Sequence, residues 1–256
     1  MGATHQALLM ASVASVNHAL AIYNKLEEWW TCDADGATIT GAHAATSASK
    51  IVSTGSVSAT TGHLNNALNF APDCLYRATS LPFTPATGSL YSLGVWLRAD
   101  SLPVGAIVPL CLGEATNQNA TDRALQMLVL SNGALYARAG NDVGGFDDAV
   151  GAAGEVTTGA WKFLQAERGT NYVRCRVNAG SWVSTAITAN KAPVNNQAIS
   201  IGGDYNSTSS LWLNCVDGLI DEAFVATSVL TDDEWDYLYA SGSGISYSAL
   251  EAAAGF

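Results

Sequence analysis

The feature that most constrains this sequence is a succession of short runs in which apolar and polar residues alternate. Residues 91–98 alternate in this way, and a period of two residues is the signature of a half-buried β-strand. The runs 124–130 and 135–138 flank an Asn-Gly pair within 131–133, which is a strong signal for a β-hairpin. Helical periodicity is almost absent between such runs. The pattern predicts an all-β chain folded as two packed antiparallel sheets.

One helix is predicted near the C-terminus. Residues 231–234 read Thr-Asp-Asp-Glu, a capping box in which the Thr hydroxyl and the Glu carboxylate each accept a backbone N–H. Trp235, Leu238 and Tyr239 follow at helical spacing and form an apolar stripe that is expected to lie on a sheet edge. Gly242 is expected to end the helix.

The length of 256 residues fits one large β-sandwich with short extensions. We divide the chain into an apolar N-terminal arm (1–25), the sandwich domain (26–247) and a C-terminal tail (248–256). No apolar run reaches the ~18 residues that a transmembrane helix needs. The apolar start has no Lys or Arg before Lys25, so a signal peptide is not predicted.

The charge balance excludes two classes of partner. Only 13% of the residues are charged, the net charge is −11, and the 11 Lys and Arg residues form no cluster. Binding to nucleic acid by phosphate neutralisation is therefore not expected, nor is binding to an anionic membrane. A weakly charged, hydrogen-bonding surface is typical of proteins packed into assemblies or exposed outside a cell.

The cysteines indicate small buried side chains rather than a metal or redox motif. None of the five forms a Cys-x-x-Cys pair, and most lie in apolar strand-like runs. Synthesis in a reducing compartment is the simplest inference, and a disulfide between two strands stays open as an alternative.

Several segments resemble motifs of one known family. An aromatic pair precedes an acidic residue in an opening strand, a Gly-x-x-x-Asn-Ala-x-x-Phe pattern and a Trp-containing strand follow, and a Gly-x-Ile-Asp-Glu strand leads into a Leu-Thr-x-x-Glu helix. These segments are 26–33, 62–70, 93–98, 217–223 and 230–234. The chain thereby resembles the laminin-G-like, concanavalin A-like lectin jelly-roll domains over roughly residues 26–247. It is similar in particular to laminin-G-like modules of bacteriophage structural proteins.

The resemblance implies a jelly-roll sandwich with carbohydrate or protein partners, no required cofactor and, in some relatives, a structural calcium ion. Asp33 and Asp221 stand where related domains place acidic metal ligands. We hypothesise that these two carboxylates hold Ca²⁺ together with backbone carbonyls. Ala34 stands where a second acid is common, which weakens the site, and the alternative is that Asp221 caps a turn or pairs with an arginine.

The carboxylates do not suggest an enzyme. Glycosidases of this fold carry two carboxylates at alternate positions of one strand, whereas Glu114, Glu155, Glu167 and Glu222 each lack such a partner. The acidic residues at 232–236 are explained by helix capping. The sequence also has no Gly-x-Ser-x-Gly elbow, and it therefore predicts a protein that is not an enzyme.

Two segments rich in Gly, Asn, Asp and Ser, 140–155 and 203–212, are the natural place for a binding surface. Their polar and aromatic side chains could contact sugar hydroxyls, and the alternative is that these segments are solvated loops. The candidate ligand-binding residues are Asp147, Asp148, Asp204, Tyr205, Asn206 and Trp212.

These observations together predict a non-enzymatic virion structural protein, a capsid decoration or tail-associated protein, that displays a lectin-like domain. Its predicted partners are other virion proteins, copies of itself and cell-surface glycans. It would be made in the host cytoplasm, and its arm would pack on a neighbouring subunit. Two alternatives stay open, namely a secreted or surface carbohydrate-binding module located outside the cell, and a glycan hydrolase with a divergent site.

Overall fold

The computed structural model describes residues 14–52, 55–81, 83, 89–113, 123–140, 145–187, 198–206 and 211–256, without the side chains of 52, 206 and 211–213. Its helices are α1 (14–23), α2 (Asp232–Tyr239) and α3 (Tyr247–Ala254). Its strands are β1 (Leu26–Trp30), β2 (Thr38–Thr40), β3 (Ser47–Val52), β4 (Val57–Thr61), β5 (Asn66–Phe70), β6 (Cys74–Ala78), β7 (Tyr91–Ala99), β8 (Ala106–Ile107), β9 (Leu110–Gly113), β10 (Arg123–Leu130), β11 (Leu135–Gly140), β12 (Phe146–Val150), β13 (Lys162–Arg168), β14 (Tyr172–Val177), β15 (Val183–Ala186), β16 (Ile199–Ile201), β17 (Asp204–Asn206), β18 (Leu211–Leu213) and β19 (Gly218–Ala226).

The strands form two large antiparallel sheets. Sheet 1 has the order β15-β14-β13-β7-β19-β5-β4, with β1 beside the second half of β19. Sheet 2 has the order β12-β11-β10-β9-β16-β6-β3-β2, with β8 beside β10, and β17 and β18 form a separate hairpin. The all-β, two-sheet prediction is therefore confirmed.

The two sheets enclose the main core. Leu93, Val95 and Leu97 of β7 are fully buried and pack in one cluster with Leu112 and Met127 of sheet 2. The alternation seen in the sequence thus marks the inward face of sheet 1, as expected for aligned sheets.

The outer face of sheet 1 is also buried, because helices cover it. Trp96, Phe163 and Phe224 of that face form a second apolar cluster with Trp235 of α2 and Leu250 of α3. Helix α2 therefore lies across the face of sheet 1 rather than on its edge, since its Trp and Leu side chains need apolar partners.

The helix starts as predicted but ends earlier. Thr231 accepts a hydrogen bond from the Glu234 N–H, and the Glu234 side chain accepts one from the Thr231 N–H, so the capping box is confirmed. The cap at the other end is Ala240, which adopts a left-handed conformation (φ 46°) ahead of Gly242.

Helices α1 and α3 were not predicted. Ala19 and Ile22 of α1 and Leu250 of α3 are fully buried against the same sandwich. Parts of the predicted arm and tail therefore pack on their own domain, and the division of the chain at residues 25 and 247 stays a prediction. Residues 1–13 of the arm lie outside the described residues.

Two further features concern the environment of the chain. All five cysteines are free thiols, and only Cys215 is partly exposed. In the part of the chain that the structure describes, no helix is long and apolar enough to cross a membrane.

Candidate functional site

The outer face of sheet 2 carries a continuous row of mainly polar residues. Directly opposed residues of antiparallel strands point to the same side of a sheet, so the strand register shows which residues share a face. From β12 to β2 the row is Asp148, Arg138, Gln126, Cys111, Ser200, Arg77, Ser49 and Thr38. The residues alternating with this row, such as Ala137, Met127 and Ile199, belong to the main core. The row therefore points away from the main core, but its central members Gln126, Cys111 and Ser200 are buried, and only its ends reach solvent.

One end of the row is an accessible ion pair. Arg138 donates from Nε and Nη2 to the two carboxylate oxygens of Asp148, both at 2.8 Å. The two side chains are 26% and 27% exposed, so solvent and ligands reach them. The Arg138 guanidinium also lies 4.4 Å from the centre of the Phe146 ring. A planar guanidinium held in this way presents its remaining N–H groups in a fixed orientation.

A buried ion pair lies beside it. Arg123 of β10 pairs with Asp204 of β17, and their side chains are only 9% and 3% exposed. The Arg123 guanidinium lies 5.7 Å from the same Phe146 ring. Because the pair is buried, its role is structural: it links β10 to the β17–β18 hairpin.

Further along the face, Arg77 lies over the ring of Tyr205 at 4.4 Å. Ser200 donates a 2.7 Å hydrogen bond to the carbonyl of Gly203, which fixes the turn that leads into β17. Three of the chain's 11 Lys and Arg residues thus gather on one face of a protein whose net charge is −11.

The structure brings together only some of the predicted ligand residues. Asp148, Asp204 and Tyr205 reach the outer face of sheet 2. Asp147 does not, because it pairs with Ala139 on the inward side and is 8% exposed. Asn206 and Trp212 lie on β17 and β18, with Trp212 opposite Tyr205, but their side chains are outside the described residues. Parts of both predicted loops, 141–144 and 207–210, are also outside them.

The sequence analysis missed the basic residues of this face. Arg77 lies in β6, a strand that the sequence did not predict, Arg123 directly precedes the predicted run 124–130, and Arg138 ends the predicted run 135–138. The available signal was the alternation within these strands, where Arg138 separates Ala137 from Ala139.

The two predicted metal ligands lie at the turn that precedes β5. Asp33 Oδ1 accepts the Asn66 N–H at 3.0 Å, and Asp221 Oδ2 accepts the N–H groups of His63 and Leu64 at 3.0 and 2.7 Å. Both carboxylates therefore hold the turn before β5. This geometry matches the alternative that Asp221 caps a turn.

Asp221 lies in surroundings that disfavour its negative charge. The side chain is fully buried, and its Oδ1 atom has no hydrogen-bond partner. Burial and, to a smaller extent, the negative charge of Asp33 together raise the pKa of Asp221 to about 7. The neighbouring Glu222 has a positive φ of 49°, accepts a hydrogen bond from Trp29 Nε1, and has its pKa raised to about 9 by burial and by Asp221.

The carboxylates of Asp33 and Asp221 are oxygen ligands of the kind that hard cations prefer, but there are only two of them. Carboxylate oxygens suit calcium, which takes 6–8 oxygen ligands. Among the described residues no group of three or more His, Cys, Asp or Glu could hold a metal ion. Asp33 and Asp221 would therefore need backbone carbonyls and water to complete a calcium site. A cavity of about 200 Å³, lined by residues 30–35 and 38–40, adjoins Asp33.

Two of the other acidic residues considered in the sequence, Glu167 and Glu222, have structural partners. Glu167 accepts hydrogen bonds from Trp235 Nε1 and the Leu230 N–H, at 2.6 and 3.1 Å, and pairs with Arg174. It belongs to sheet 1, as does Glu222. Neither lies on the outer face of sheet 2, and Glu114 lies outside the described residues.

The fold and this face define a lectin-like β-sandwich. Residues 76–234 match a laminin G-like family model described as the concanavalin A-like lectin/glucanases superfamily. The match covers more than half of the chain, and the chain belongs to this superfamily.

Solved structures agree on the fold. The binding domain of Paraclostridial mosquitocidal protein 1 is similar at 14% identity with a TM-score of 0.64, over 86% of this chain and 53% of that one. Domain 4 of AbnA, an extracellular arabinanase from Geobacillus stearothermophilus, is 15% identical with a TM-score of 0.63, over 83% of this chain and 97% of the domain. The binding domain of botulinum neurotoxin serotype D is 12% identical with a TM-score of 0.61, over 88% and 53%.

The chain thus spans about half the length of the toxin binding domains that it matches. At these identities the likeness shows the fold alone. A search of curated protein sequences gives no match.

Proposed function

We propose that the protein is a non-catalytic virion structural component, a capsid decoration or tail-associated protein, that binds glycans through the outer face of sheet 2. The observation that carries the binding role is the accessible Arg138–Asp148 pair at one end of the polar row on that face. The low charged fraction of 13% and the resemblance of the opening and closing motifs to bacteriophage modules support the virion role.

The chemistry of the face suits a sugar. A guanidinium can donate two parallel hydrogen bonds to a carboxylate or to neighbouring hydroxyls, and Asp148 adds acceptors. Phe146 supplies an apolar surface next to Arg138, and specific binding sites commonly combine apolar surface with a few fixed polar groups. Among the similar structures, AbnA domain 4 was solved with arabinotriose, and a botulinum neurotoxin DC binding domain with SialylT. Those ligands support a glycan as the ligand class here.

The carboxylates of the face support binding rather than hydrolysis. Glycoside hydrolysis needs one carboxyl group to deliver a proton and a second to act as base or nucleophile. Asp148 and Asp204 are each engaged by a guanidinium, from Arg138 and Arg123. An engaged carboxylate is a poor proton donor, so incubation with glycan substrates should release no reducing sugar.

The virion role is tested by locating the native protein. Quantitative mass spectrometry of purified virions, with light scattering of the free protein, should find many copies in each particle. Finding the protein only as a free species in the medium would contradict a virion role.

A secreted or surface carbohydrate-binding module is the second candidate. The match to AbnA domain 4 favours it, because almost the whole of that domain, 97%, is covered by this chain. Recovery from the medium together with glycan binding would establish this candidate in place of the first.

We also propose that Asp33 and Asp221 hold a structural calcium ion. The unpartnered Oδ1 atom of Asp221 supports this proposal, because a cation would satisfy it and stabilise both negative charges. After EDTA treatment, adding calcium should raise the melting temperature of the native protein and not that of Asp221→Asn. An Asp217→Asn variant is the control, and an equal response of all three proteins would exclude the site.

A further inference from the structure

Strand β4 leaves one edge of sheet 1 open. Val57–Thr61 is the last strand in the order of that sheet, next to β5 only. Residues 58–61 are all exposed, so no described part of the chain covers this edge. An uncovered edge strand presents unpaired N–H and C=O groups, which form a template for another strand.

Three other edge strands have features that block pairing, whereas β4 has none of them. The edge strand β2 has only three residues, β12 carries Asp147 and Asp148, and β15 lies beside β12. Short length, charge and coverage are the common means of blocking an edge. By contrast, residues 51–72, which contain β4, include no Asp, Glu, Lys or Arg.

The hydrogen bonds to β5 show which backbone groups of β4 point outward. The Ala71 N–H donates to the Ser56 carbonyl, and the Gly62 N–H donates to the Asn65 carbonyl. In an antiparallel pair, residues bonded to the partner alternate with residues whose N–H and C=O point away. Residues 56, 58, 60 and 62 therefore face β5, and Val57, Ala59 and Thr61 direct their N–H and C=O groups to the open side.

We propose that β4 pairs antiparallel with β4 of a second copy of this chain, about a two-fold axis at Ala59. In this register Ala59 is opposite its own copy, and Val57 is opposite Thr61 of the second copy. Each of these three opposed pairs exchanges two hydrogen bonds. All the outward-pointing groups of the three residues are then satisfied, and sheet 1 continues from one copy into the other.

Charge favours a second copy at this place. Two molecules with a net charge of −11 repel each other over most of their surfaces, and they can approach with least repulsion along an uncharged edge. A strand whose outward groups are symmetric about its central residue is also complementary to itself, as a two-fold interface requires.

The proposed dimer has a consequence for binding. The two-fold axis of an antiparallel strand pair runs perpendicular to the sheet, so both copies of sheet 2 lie on the same side. Their outer faces would then point in the same direction, and one array of glycans could engage both. Two linked sites bind a multivalent surface more tightly than one.

The test measures the solution mass of the full chain by light scattering at protein concentrations of about 100 µM, since a small interface gives a weak dimer. The wild type should have about twice the 26.5 kDa mass of one chain. Ala59→Pro removes one outward N–H and no hydrogen bond to β5, and proline is tolerated on an edge where the N–H faces solvent. This variant should be a monomer, and its melting temperature should equal that of the wild type when both are diluted below the concentration at which the dimer forms.

A second pair of variants tests the same interface by charge and without introducing a proline. Ser58 is opposite Thr60 of the second copy in the proposed register, and like charges directly opposite each other destabilise strand pairing. Ser58→Glu/Thr60→Glu should be monomeric alone, as should Ser58→Lys/Thr60→Lys, and an equal mixture of the two should form dimers. The control, Thr157→Glu/Thr158→Glu, changes two exposed residues elsewhere and should stay dimeric.

Two results would overturn the proposal. A wild type that is monomeric at this concentration excludes a self-paired β4. A dimer that persists in Ala59→Pro and in both charged variants places the interface on another surface.

Discussion

Glu28 is expected to be the carboxylate whose loss destabilises the fold most, although it lies outside the proposed binding face. The side chain is fully buried, and its carboxylate accepts four backbone N–H groups. Three of them, from Trp29, His43 and Ala44, meet Oε1 at 2.9–3.0 Å, and the fourth, from Thr46, meets Oε2 at 2.7 Å. The carboxylate thus holds residues 43–46 next to β1.

Replacing Glu28 by Gln keeps the volume and removes acceptors. In the better orientation the new amide nitrogen replaces Oε2 and faces the Thr46 N–H, so one hydrogen bond to a charged group, worth about 1.5–3 kcal/mol, is lost. Two buried donors then face each other without acceptors, and the other three hydrogen bonds become neutral and weaker. We expect the free energy of unfolding to fall by about 3–5 kcal/mol. For a domain of this size the melting temperature should then fall by roughly 10 °C.

Urea unfolding at pH 7, followed by tryptophan fluorescence, measures this loss. Glu27→Gln is the matched control, because Glu27 is half-buried and accepts a single hydrogen bond, from the Thr227 hydroxyl. The control should lose no more than about 1 kcal/mol. If Glu28→Gln and Glu27→Gln unfold at the same urea concentration, the carboxylate does not hold the loop as described.

Three further predictions concern stability. Burial raises the pKa of Cys175 to about 12, so between pH 9 and about pH 12 its thiol stays protonated in the folded state and ionises in the unfolded chain; this thiol alone should therefore lower the free energy of unfolding by about 1.4 kcal/mol per pH unit in that range, and Cys175→Ala should reduce the measured slope by about that amount. Arg123→Met leaves Asp204 as a buried charge without its guanidinium and should cost about 3–5 kcal/mol in urea unfolding; a loss below about 1 kcal/mol would contradict the buried pair. Gly41→Ala would place a methyl group 2.0 Å from the Glu28 carboxyl carbon, so thermal unfolding should begin several degrees lower, and an unchanged melting temperature would refute this close contact.

The sequence was sufficient for the features that depend on neighbouring residues. The strand alternation of β7 and the capping box of α2 are local patterns, and the structure confirms both. Helix α3 and the described part of α1 contain several alanines, and both are stabilised by burial against the face of sheet 1. Such helices cannot be recognised until that face is known.

The candidate site depends on features that are not local. Adjacent residues of a strand point to opposite sides, so Asp147 and Asp148 cannot both line one face, and only the pairing with β11 shows which of them does. The polar row likewise exists because strands distant in sequence, such as β6 and β16, are neighbours in the sheet. The open edge of β4 follows from the same strand order.

Glycan affinity, measured for variants of the outer face of sheet 2, is the most direct test of whether this face binds glycans. The tightest ligand found on a glycan microarray would be titrated by calorimetry into the wild type, Arg138→Ala and Arg98→Ala. Arg98 is a suitable control because it forms an exposed ion pair with Asp100 in sheet 1, with side-chain exposures of 35% and 42%. We expect Arg138→Ala to weaken binding at least about tenfold, which corresponds to the loss of one charged hydrogen-bonding group, and Arg98→Ala to bind like the wild type. Equal affinity of all three proteins, or no glycan bound by the wild type, would contradict the assignment of this face as the binding site.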